Sequence, residues 1–237
     1  MNKNISIRTS LRNLLEYLYT LLRIQKVKPY ATTNKNFTSS QDYWEQRYLQ
    51  GGTSGAGSYG VLAEFKAEVI NSLLLEHSIL TAIEFGCGDG SQLKKIKYPS
   101  YIGYDVSPTA IQKCKNIFRD DKSKEFHFGS EHHGGKSDMT LSLDVIYHLV
   151  EDEIFEKYMT TLFGTARKLV VIYSSNENNS GNGSKHVRHR KFTDWVEQNI
   201  SEWSLIKKIP NKHPYQGNGT KGSFADFFIY TQRSANS

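Results

Sequence analysis

Short apolar runs alternate with stretches of helical periodicity over most of this chain. Five runs rich in branched or aromatic side chains predict strands, at 81–85, 101–104, 126–128, 139–143 and 168–173. Apolar residues at helical spacing between them predict helices, at 91–97, 108–118 and 151–166. Such alternation is typical of an α/β fold, in which helices cover both faces of a mostly parallel sheet.

The C-terminal part of the chain breaks this alternation. A helix is predicted at 192–200, and strands follow at 203–209 and 225–231 with no helical pattern between them. Two strands without a crossover helix pair most simply as an antiparallel unit. We therefore predict a seven-stranded, mostly parallel sheet whose last strand is antiparallel.

Residues 1–40 precede the alternating pattern and are predicted to form an N-terminal extension. Apolar residues recur at helical spacing over 5–24 with arginines on the other face, and a polar connector follows. The interrupted apolar face excludes a transmembrane span, and no secretory cleavage site is present. The amphipathic helix is expected to pack on its own domain or in a homodimer. Peripheral attachment at the inner face of a membrane is the alternative.

A glycine-rich stretch, GGTSGAGSYG at 51–60, lies between two predicted helices at the start of the domain 41–237. It is not a phosphate-binding loop, since no strand precedes it and no lysine follows its glycines. We predict that 41–76 forms a glycine-hinged lid over the core at 77–237. Three polar side chains of the stretch are expected to reach a bound cofactor or acceptor: Ser54, Ser58 and Tyr59. An unstructured surface loop is the alternative.

Composition limits the possible classes of protein but does not identify a function. A length of 237 residues fits one domain with a substantial core. The formal net charge of +6 favours anionic partners, although many soluble proteins are mildly basic. Cys87 and Cys114 are too few for a disulfide framework or a zinc site, which fits a reducing cytoplasm.

The turn after the first predicted strand carries the strongest local signal. Gly86, Gly88 and Gly90 permit a sharp turn where ligands bind in open α/β sheets. A dinucleotide fingerprint is incomplete, because Ser91 stands at its last glycine position. Asp105 ends the second strand, where a carboxylate accepts hydrogen bonds from two ribose hydroxyls. A helix cap for 108–118 is its alternative role.

Four segments in this order resemble class I S-adenosylmethionine-dependent methyltransferases: EFGCGDG, YIGYDVS, FHFGS and DMTLSLDVIYHL. The resemblance covers roughly Ala82 to Tyr173 and implies a Rossmann-like fold with S-adenosylmethionine as cofactor. Small bacterial methyltransferases also share an N-terminal pattern similar to WEQRY…GGTSGAGSYG…FKAE.

The resemblance also implies which residues contact the cofactor. These are Gly86, Cys87, Gly88, Asp89, Gly90, Asp105, Val106, Ser130, Asp144, Ser58 and Tyr59. By this resemblance the glycines line the methionine part, Asp105 holds the ribose and Val106 flanks the adenine. The sequence departs from the family pattern in one place. The usual acidic residue after the third strand is not evident, and FGSEHH offers only Glu131 as a substitute.

Three candidate catalytic residues follow the fourth predicted strand: Asp144, Tyr147 and His148. Methyl transfer from a sulfonium needs the reacting atoms held in line, and a hydroxyl acceptor also needs a base. His148 is the first candidate for that base, because histidine titrates near neutral pH. Asp144 lies one helical turn away and would orient His148 or contact the cofactor. A structural histidine is the alternative.

A long polar loop after the fifth predicted strand holds the candidate acceptor-binding residues. They are His186, Arg188, His189 and Arg190. Guanidinium groups suit carboxylates or phosphates, whereas a solvated basic run is the plain alternative. His132 and His133 are adjacent but have no metal-site spacing, so no metal is expected.

The leading hypothesis is a methyltransferase acting on a hydroxyl of a small molecule or carbohydrate, such as a sugar of a surface polysaccharide or metabolite. An RNA methyltransferase fits the basic charge, but no long basic stripe or RNA-binding motif is visible, so no nucleic acid partner is expected. A non-catalytic module that binds a partner through its N-terminal helix is a further alternative. The hypothesis of an NAD-dependent oxidoreductase is weakened by Ser91, which stands at the last glycine position of the dinucleotide fingerprint.

Overall fold

The computed structural model describes residues 37–178, 184–217 and 222–233. The predicted amphipathic helix at 5–24 and most of its connector lie outside the described residues. Within the described ranges, no helix is both long enough and apolar enough to cross a membrane.

Seven strands form one sheet at the centre of the described domain. They are β1 (Thr81–Phe85), β2 (Ser100–Asp105), β3 (Lys124–Phe128), β4 (Ser137–Leu143), β5 (Ala166–Ser174), β6 (Trp203–Ile209) and β7 (Asp226–Gln232). Their order in the sheet is β3-β2-β1-β4-β5-β7-β6. The first five strands pair in parallel, and β7 pairs antiparallel with both β5 and β6. The predicted fold class is confirmed.

Five helices surround the sheet within the described residues. They are α1 (Ser40–Leu49), α2 (Gly60–Glu76), α3 (Pro108–Ile117), α4 (Asp152–Thr165) and α5 (Phe192–Asn199). Helices α2 and α3 bury Ile70 and Ile111 in one apolar cluster, whereas α4 and α5 bury Met159 and Val196 in a second. The alternating residues of β5 explain this arrangement: Val171 joins the first cluster, and Val170 and Ile172 join the second.

The helix predicted at 91–97 is wrong. The segment holds one 3-10 turn, Leu93–Lys95, and then runs extended into β2. Gly90 lies in a left-handed turn just before the segment, and Pro99 follows it. A residue before proline is biased towards extended backbone, so the helix cannot continue through Tyr98.

Helix α1 crosses between two loops at the carboxyl edge of the sheet. At its start, the Ser40 hydroxyl donates to the His148 carbonyl (2.7 Å) and contacts the Glu151 carboxylate (2.6 Å). Further along, the Glu45 carboxylate accepts hydrogen bonds from the hydroxyls of Ser107 and Thr109. One helix therefore links the loop after β4 to the loop after β2.

Ser107 connects the packing of α1 to that of α3. Its hydroxyl oxygen accepts the Ala110 N–H (3.0 Å) as the N-cap of α3, and its hydroxyl donates to Glu45. Because Ser107 is fully buried, water cannot replace these partners when the hydroxyl is removed.

We predict that Ser107→Ala lowers the free energy of unfolding by about 1–2 kcal/mol, through loss of the helix cap and of the link to Glu45. Chemical denaturation measures the change. Thr160→Ala is the matched control, since Thr160 lies on the exposed side of α4 and bonds only within its own helix. Equal stabilities of the two variants would contradict the role of Ser107.

Candidate functional site

The turn after β1 is shaped by three glycines with left-handed backbone. Their φ angles are 87° at Gly86, 58° at Gly88 and 75° at Gly90. The N–H groups of Gly86 and Cys87 donate to the Tyr104 carbonyl at 2.7 and 3.0 Å, which folds the turn onto the end of β2. A Cβ atom at Gly86 would overlap the Val145 side chain and one at Gly88 would overlap Ser54, so only glycine allows this close packing.

The Asp105 carboxylate joins this turn to the loop after β2. It accepts the Gly88 N–H at 2.8 Å and the Ser107 N–H at 2.9 Å. Burial raises the pKa of Asp105 to about 6, although both N–H donors act in the opposite direction. The alternative role of Asp105 as a helix cap is wrong, since Ser107 caps α3.

The glycine-rich stretch 51–60 lies directly on the turn after β1. The Asp89 carboxylate accepts the Ser54 N–H and the Tyr59 hydroxyl, both at 3.0 Å, and the Asp89 N–H donates to the Ser54 hydroxyl at 2.9 Å. Burial opposes ionisation of Asp89, but hydrogen bonds from Ser54 and Ser91 outweigh it and lower its pKa. Ser58 lies half-buried in the 3-10 turn Ala56–Ser58.

The other candidate cofactor residues lie beside β2 and β3. The Val106 side chain is 40% exposed although it follows a buried strand. Ser130 is exposed in the 3-10 turn Gly129–Glu131, and the Glu131 carboxylate turns back to accept the Phe128 N–H at 3.2 Å. Glu131 is thus occupied with its own turn.

The two adjacent histidines after β3 have different surroundings. The His132 Nε2 lies 3.1 Å from the Thr165 hydroxyl, and the ring packs edge-on against Phe85. His133 is exposed. No group of three metal-binding side chains is found in the described ranges.

Asp144 is held by partners that the sequence did not indicate. Its backbone is left-handed (φ 60°), and its carboxylate contacts the Lys66 ammonium at 2.6 Å and accepts the Tyr147 hydroxyl at 2.8 Å. Lys66 is 1% exposed, although lysine side chains usually reach solvent. Its spacing from buried Ile70 and Leu73 puts it on the apolar stripe, which is the signal that was missed.

His148 is oriented by a backbone carbonyl. Its Nδ1 lies 3.0 Å from the His186 carbonyl oxygen, which can only accept, so Nδ1 carries the hydrogen and Nε2 holds a free electron pair. Burial lowers the pKa of His148 to about 4, so the ring is neutral at pH 7. Asp144, the predicted orienting group, bonds Tyr147 instead.

Aromatic rings from four segments gather around His148. Trp44 of α1 packs edge-on against it, with ring centroids 4.9 Å apart, and Tyr43 stacks on His186 at 4.1 Å. On the other side, Phe224 packs against Tyr147 and His189 at 5.1 and 4.7 Å. Burial lowers the pKa of both His186 and His189. These rings form a largely uncharged wall.

Arg188 and Arg190 have partners within the protein. Both guanidinium groups lie 2.9 Å from the Asp152 carboxylate, and both donate to the Val150 carbonyl. They tie the loop before α5 to the start of α4. The sequence predicted an acceptor carboxylate or phosphate in this position, and the structure places a protein carboxylate there.

The structure therefore brings together most of the candidates at one edge of the sheet. The turn after β1, the end of β2 and the stretch 51–60 form one half. The residues after β4, together with His186 and His189, form the other half, and α1 contacts both.

Comparison with known proteins gives distant relatives. No protein-family model matches the chain. A curated small RNA 2′-O-methyltransferase of Arabidopsis thaliana is 25% identical over 65% of this chain. The match spans 20% of that protein, so this chain corresponds to about a fifth of the length of its relative.

Solved structures share the fold. The N-methyltransferase NodS of Bradyrhizobium japonicum, crystallised with S-adenosyl-L-homocysteine, superposes with a TM-score of 0.66 at 10% identity, covering 82% of this chain and 99% of NodS. The methyltransferase domain of bacterial CtHen1 gives a TM-score of 0.52 at 17% identity, covering 70% and 97%. The predicted Rossmann-like fold of S-adenosylmethionine-dependent methyltransferases is thereby confirmed.

The raised pKa of Asp105 makes a prediction about stability. Between its ordinary value of 3.8 and about 6, the folded state binds more protons than the unfolded state, so stability is lost as the pH rises. At about 1.4 kcal/mol per pKa unit, we expect the stability of the wild type relative to Asp105→Asn to fall by up to about 3 kcal/mol from pH 4 to pH 7. Denaturation at several pH values measures it. A constant or rising difference would contradict the burial argument.

Proposed function

We propose that this chain transfers a methyl group from S-adenosylmethionine to a hydroxyl of a carbohydrate or other uncharged small molecule. The observation that carries the proposal is the neutral His148, whose Nε2 is free to accept a proton beside the turn that suits the cofactor. The fold supports the methyltransferase assignment, and the aromatic wall supports the choice of acceptor.

The residues at the carboxyl edge of the sheet fit this cofactor. The left-handed glycine turn at 86–90 follows β1 directly, at the edge of the sheet where ligands bind in open α/β folds. Each oxygen of the Asp105 carboxylate accepts one N–H and keeps a lone pair, so it can also accept from ribose hydroxyls. Val106 offers an exposed apolar side chain to the adenine, and Ser130 lies near its edge.

The amino-acid end of the cofactor would lie near Asp89. The lowered pKa of this carboxyl keeps it ionised at neutral pH, which suits the cofactor's ammonium group. Ser58 and Tyr59 belong to the stretch that covers Asp89, and Cys87 and Asp144 complete the set. When bound, S-adenosylmethionine supplies a methyl group already activated on a sulfonium.

His148 would take the proton that the acceptor hydroxyl loses. A hydroxyl becomes strongly acidic as its oxygen gains the methyl group, so a base with a pKa of about 4 suffices once transfer has begun. The His186 carbonyl keeps Nδ1 protonated and thereby directs basicity to Nε2. Tyr147 packs against His148 with ring centroids 4.6 Å apart, which limits its rotation.

The acceptor class follows from what surrounds His148. Tyr43, Trp44 and Phe224 offer aromatic surface, on which the apolar face of a sugar ring packs well. The guanidinium groups of Arg188 and Arg190 are already paired with Asp152, which disfavours a phosphate in their place. A sugar in polysaccharide or metabolite biosynthesis fits these features.

RNA is the second candidate acceptor. Two of the similar proteins carry RNA methylation or Hen1 in their names, and the chain has a formal net charge of +6. The acceptor atom of a 2′-O-methyltransferase is itself a sugar hydroxyl, so the same base chemistry would serve.

We predict that titration calorimetry detects binding of S-adenosylmethionine and S-adenosylhomocysteine but not of NAD. Asp105→Ala should lose most of that affinity, because it removes the ribose acceptor and the link to Gly88. Asp120→Ala is the matched control, since Asp120 is 92% exposed, and it should bind like the wild type. Failure of the wild type to bind either sulfur compound would refute the cofactor assignment.

We predict that His148→Ala lowers kcat by about 10²- to 10⁴-fold, the usual contribution of a general base. The assay follows transfer of labelled methyl groups to neutral glycosides and to RNA oligonucleotides. His133→Ala, which changes an exposed histidine, is the control.

A wild-type kcat in the His148→Ala variant would show that His148 is not the base. If labelled methyl groups appear in RNA but in no glycoside, RNA replaces the carbohydrate as the proposed acceptor.

A further inference from the structure

Lys66 is the one fully buried lysine of the described domain, and its position is costly. It lies within the apolar stripe of α2, whose neighbours Phe65, Val69 and Ile70 pack against the sheet. An ammonium group removed from water destabilises the fold unless it is paired. Such a residue needs a specific compensating partner, and its partner lies in the candidate site.

That partner is the Asp144 carboxylate, and the pair is closed in from several sides. The Lys66 ammonium lies 2.6 Å from one Asp144 oxygen and 5.1 Å from the ring centre of Tyr173. A Cβ atom at Gly57 would lie 2.7 Å from the same Asp144 oxygen, so the stretch 51–60 closes over the pair. The two charged groups are thus shielded from most of the solvent. Ion pairing is strong in such an environment, because the effective dielectric constant is low.

The pair continues towards the proposed base. The second Asp144 oxygen accepts the Tyr147 hydroxyl at 2.8 Å. Tyr147 lies in the same 3-10 turn as His148. The Tyr147 carbonyl also accepts the Arg188 N–H at 2.8 Å. A shift of the Asp144 carboxylate would therefore move the turn that positions His148.

We propose that Lys66 is a positioning residue for methyl transfer, which fixes the Asp144 carboxylate and through Tyr147 the place of the His148 ring. The inference rests on the proposed function. Lys66 does not touch the acceptor. It acts by holding an ionised carboxylate in the one geometry that accepts the Tyr147 hydroxyl, while Asp144 keeps a left-handed backbone that few non-glycine residues adopt.

The test replaces Lys66 by methionine, which keeps the length of the side chain and removes its charge. We expect kcat at pH 7 to fall about 10- to 100-fold, the usual cost of a misplaced catalytic group. Affinity for S-adenosylhomocysteine should fall much less than kcat, since Asp144 is only one of the proposed cofactor contacts and the turn at 86–90 is not altered. Lys95→Met is the matched control, because Lys95 forms only an exposed pair with Glu64.

The pH profile separates positioning from a general loss of packing. The titratable groups that face Asp144 are Lys66, Tyr147, Tyr173, Glu84 and His148. Without the ammonium, the Asp144 carboxylate loses the cation that stabilises its charge, and a neutral carboxyl is a weaker acceptor for the Tyr147 hydroxyl. Activity of Lys66→Met should therefore show a new loss on the acid side of the pH profile that the wild type lacks.

A double variant assigns that loss to the right group. Burial raises the pKa of Glu84 to about 7, and removing Lys66 would raise it further. Lys66→Met with Asp144→Asn contains no titrating carboxyl at 144, so the new limb should vanish while kcat stays low. It also buries no unpaired charge at either position, so it should fold even where the single variant does not.

Three outcomes would overturn the positioning role of Lys66. A wild-type kcat and pH profile in the double variant overturns the positioning role while leaving the proposed function intact. A new limb that persists in the double variant overturns it also, because the limb then belongs to Glu84. A wild type that neither binds S-adenosylhomocysteine nor transfers methyl groups overturns the proposed function and this inference together.

Discussion

A buried carboxylate that accepts backbone N–H groups from two loops is the contact on which the rest of the site depends. Asp105 joins the turn after β1 to the loop after β2 through Gly88 and Ser107. Ser107 then caps α3 and bonds Glu45 of α1. Because these contacts share residues, the glycine turn, α3 and α1 form one connected unit rather than three separate features.

Helix α1 extends this unit to the second half of the site. Its first residue bonds the His148 carbonyl, and its Trp44 ring packs on His148 itself. The two halves differ in character: the half at the turn after β1 holds Asp89 and Asp105, whereas the half after β4 has aromatic rings and histidines whose pKa values are lowered by burial. Such a division suits a cationic cofactor and an uncharged acceptor.

The sequence predicted those parts of the fold that local patterns determine. Apolar runs located all seven strands, and the glycine turn and Asp105 were found because they follow strands directly. The helix at 91–97 was wrong because the segment forms one 3-10 turn after the left-handed Gly90 and then becomes extended before Pro99. In this case backbone restrictions outweighed the apolar spacing.

Contacts between distant residues were beyond the reach of local patterns. Lys66 and Asp144 are 78 positions apart, so the residues near Lys66 did not identify Asp144 as its partner. The same holds for Arg190, whose partner Asp152 lies 38 positions away, and for His148, which is oriented by the carbonyl of His186. In each case the partner was set by the fold.

The central claim is that S-adenosylmethionine binds where the stretch 51–60 covers the turn after β1. Hydrogen exchange with and without S-adenosylhomocysteine tests it most directly, since amide protection reports local opening. Slower exchange is expected at 51–60, at 86–90 and at 104–107, with the edge strand β6 unchanged. Protection confined to other segments, or no change at saturating ligand, would contradict the account.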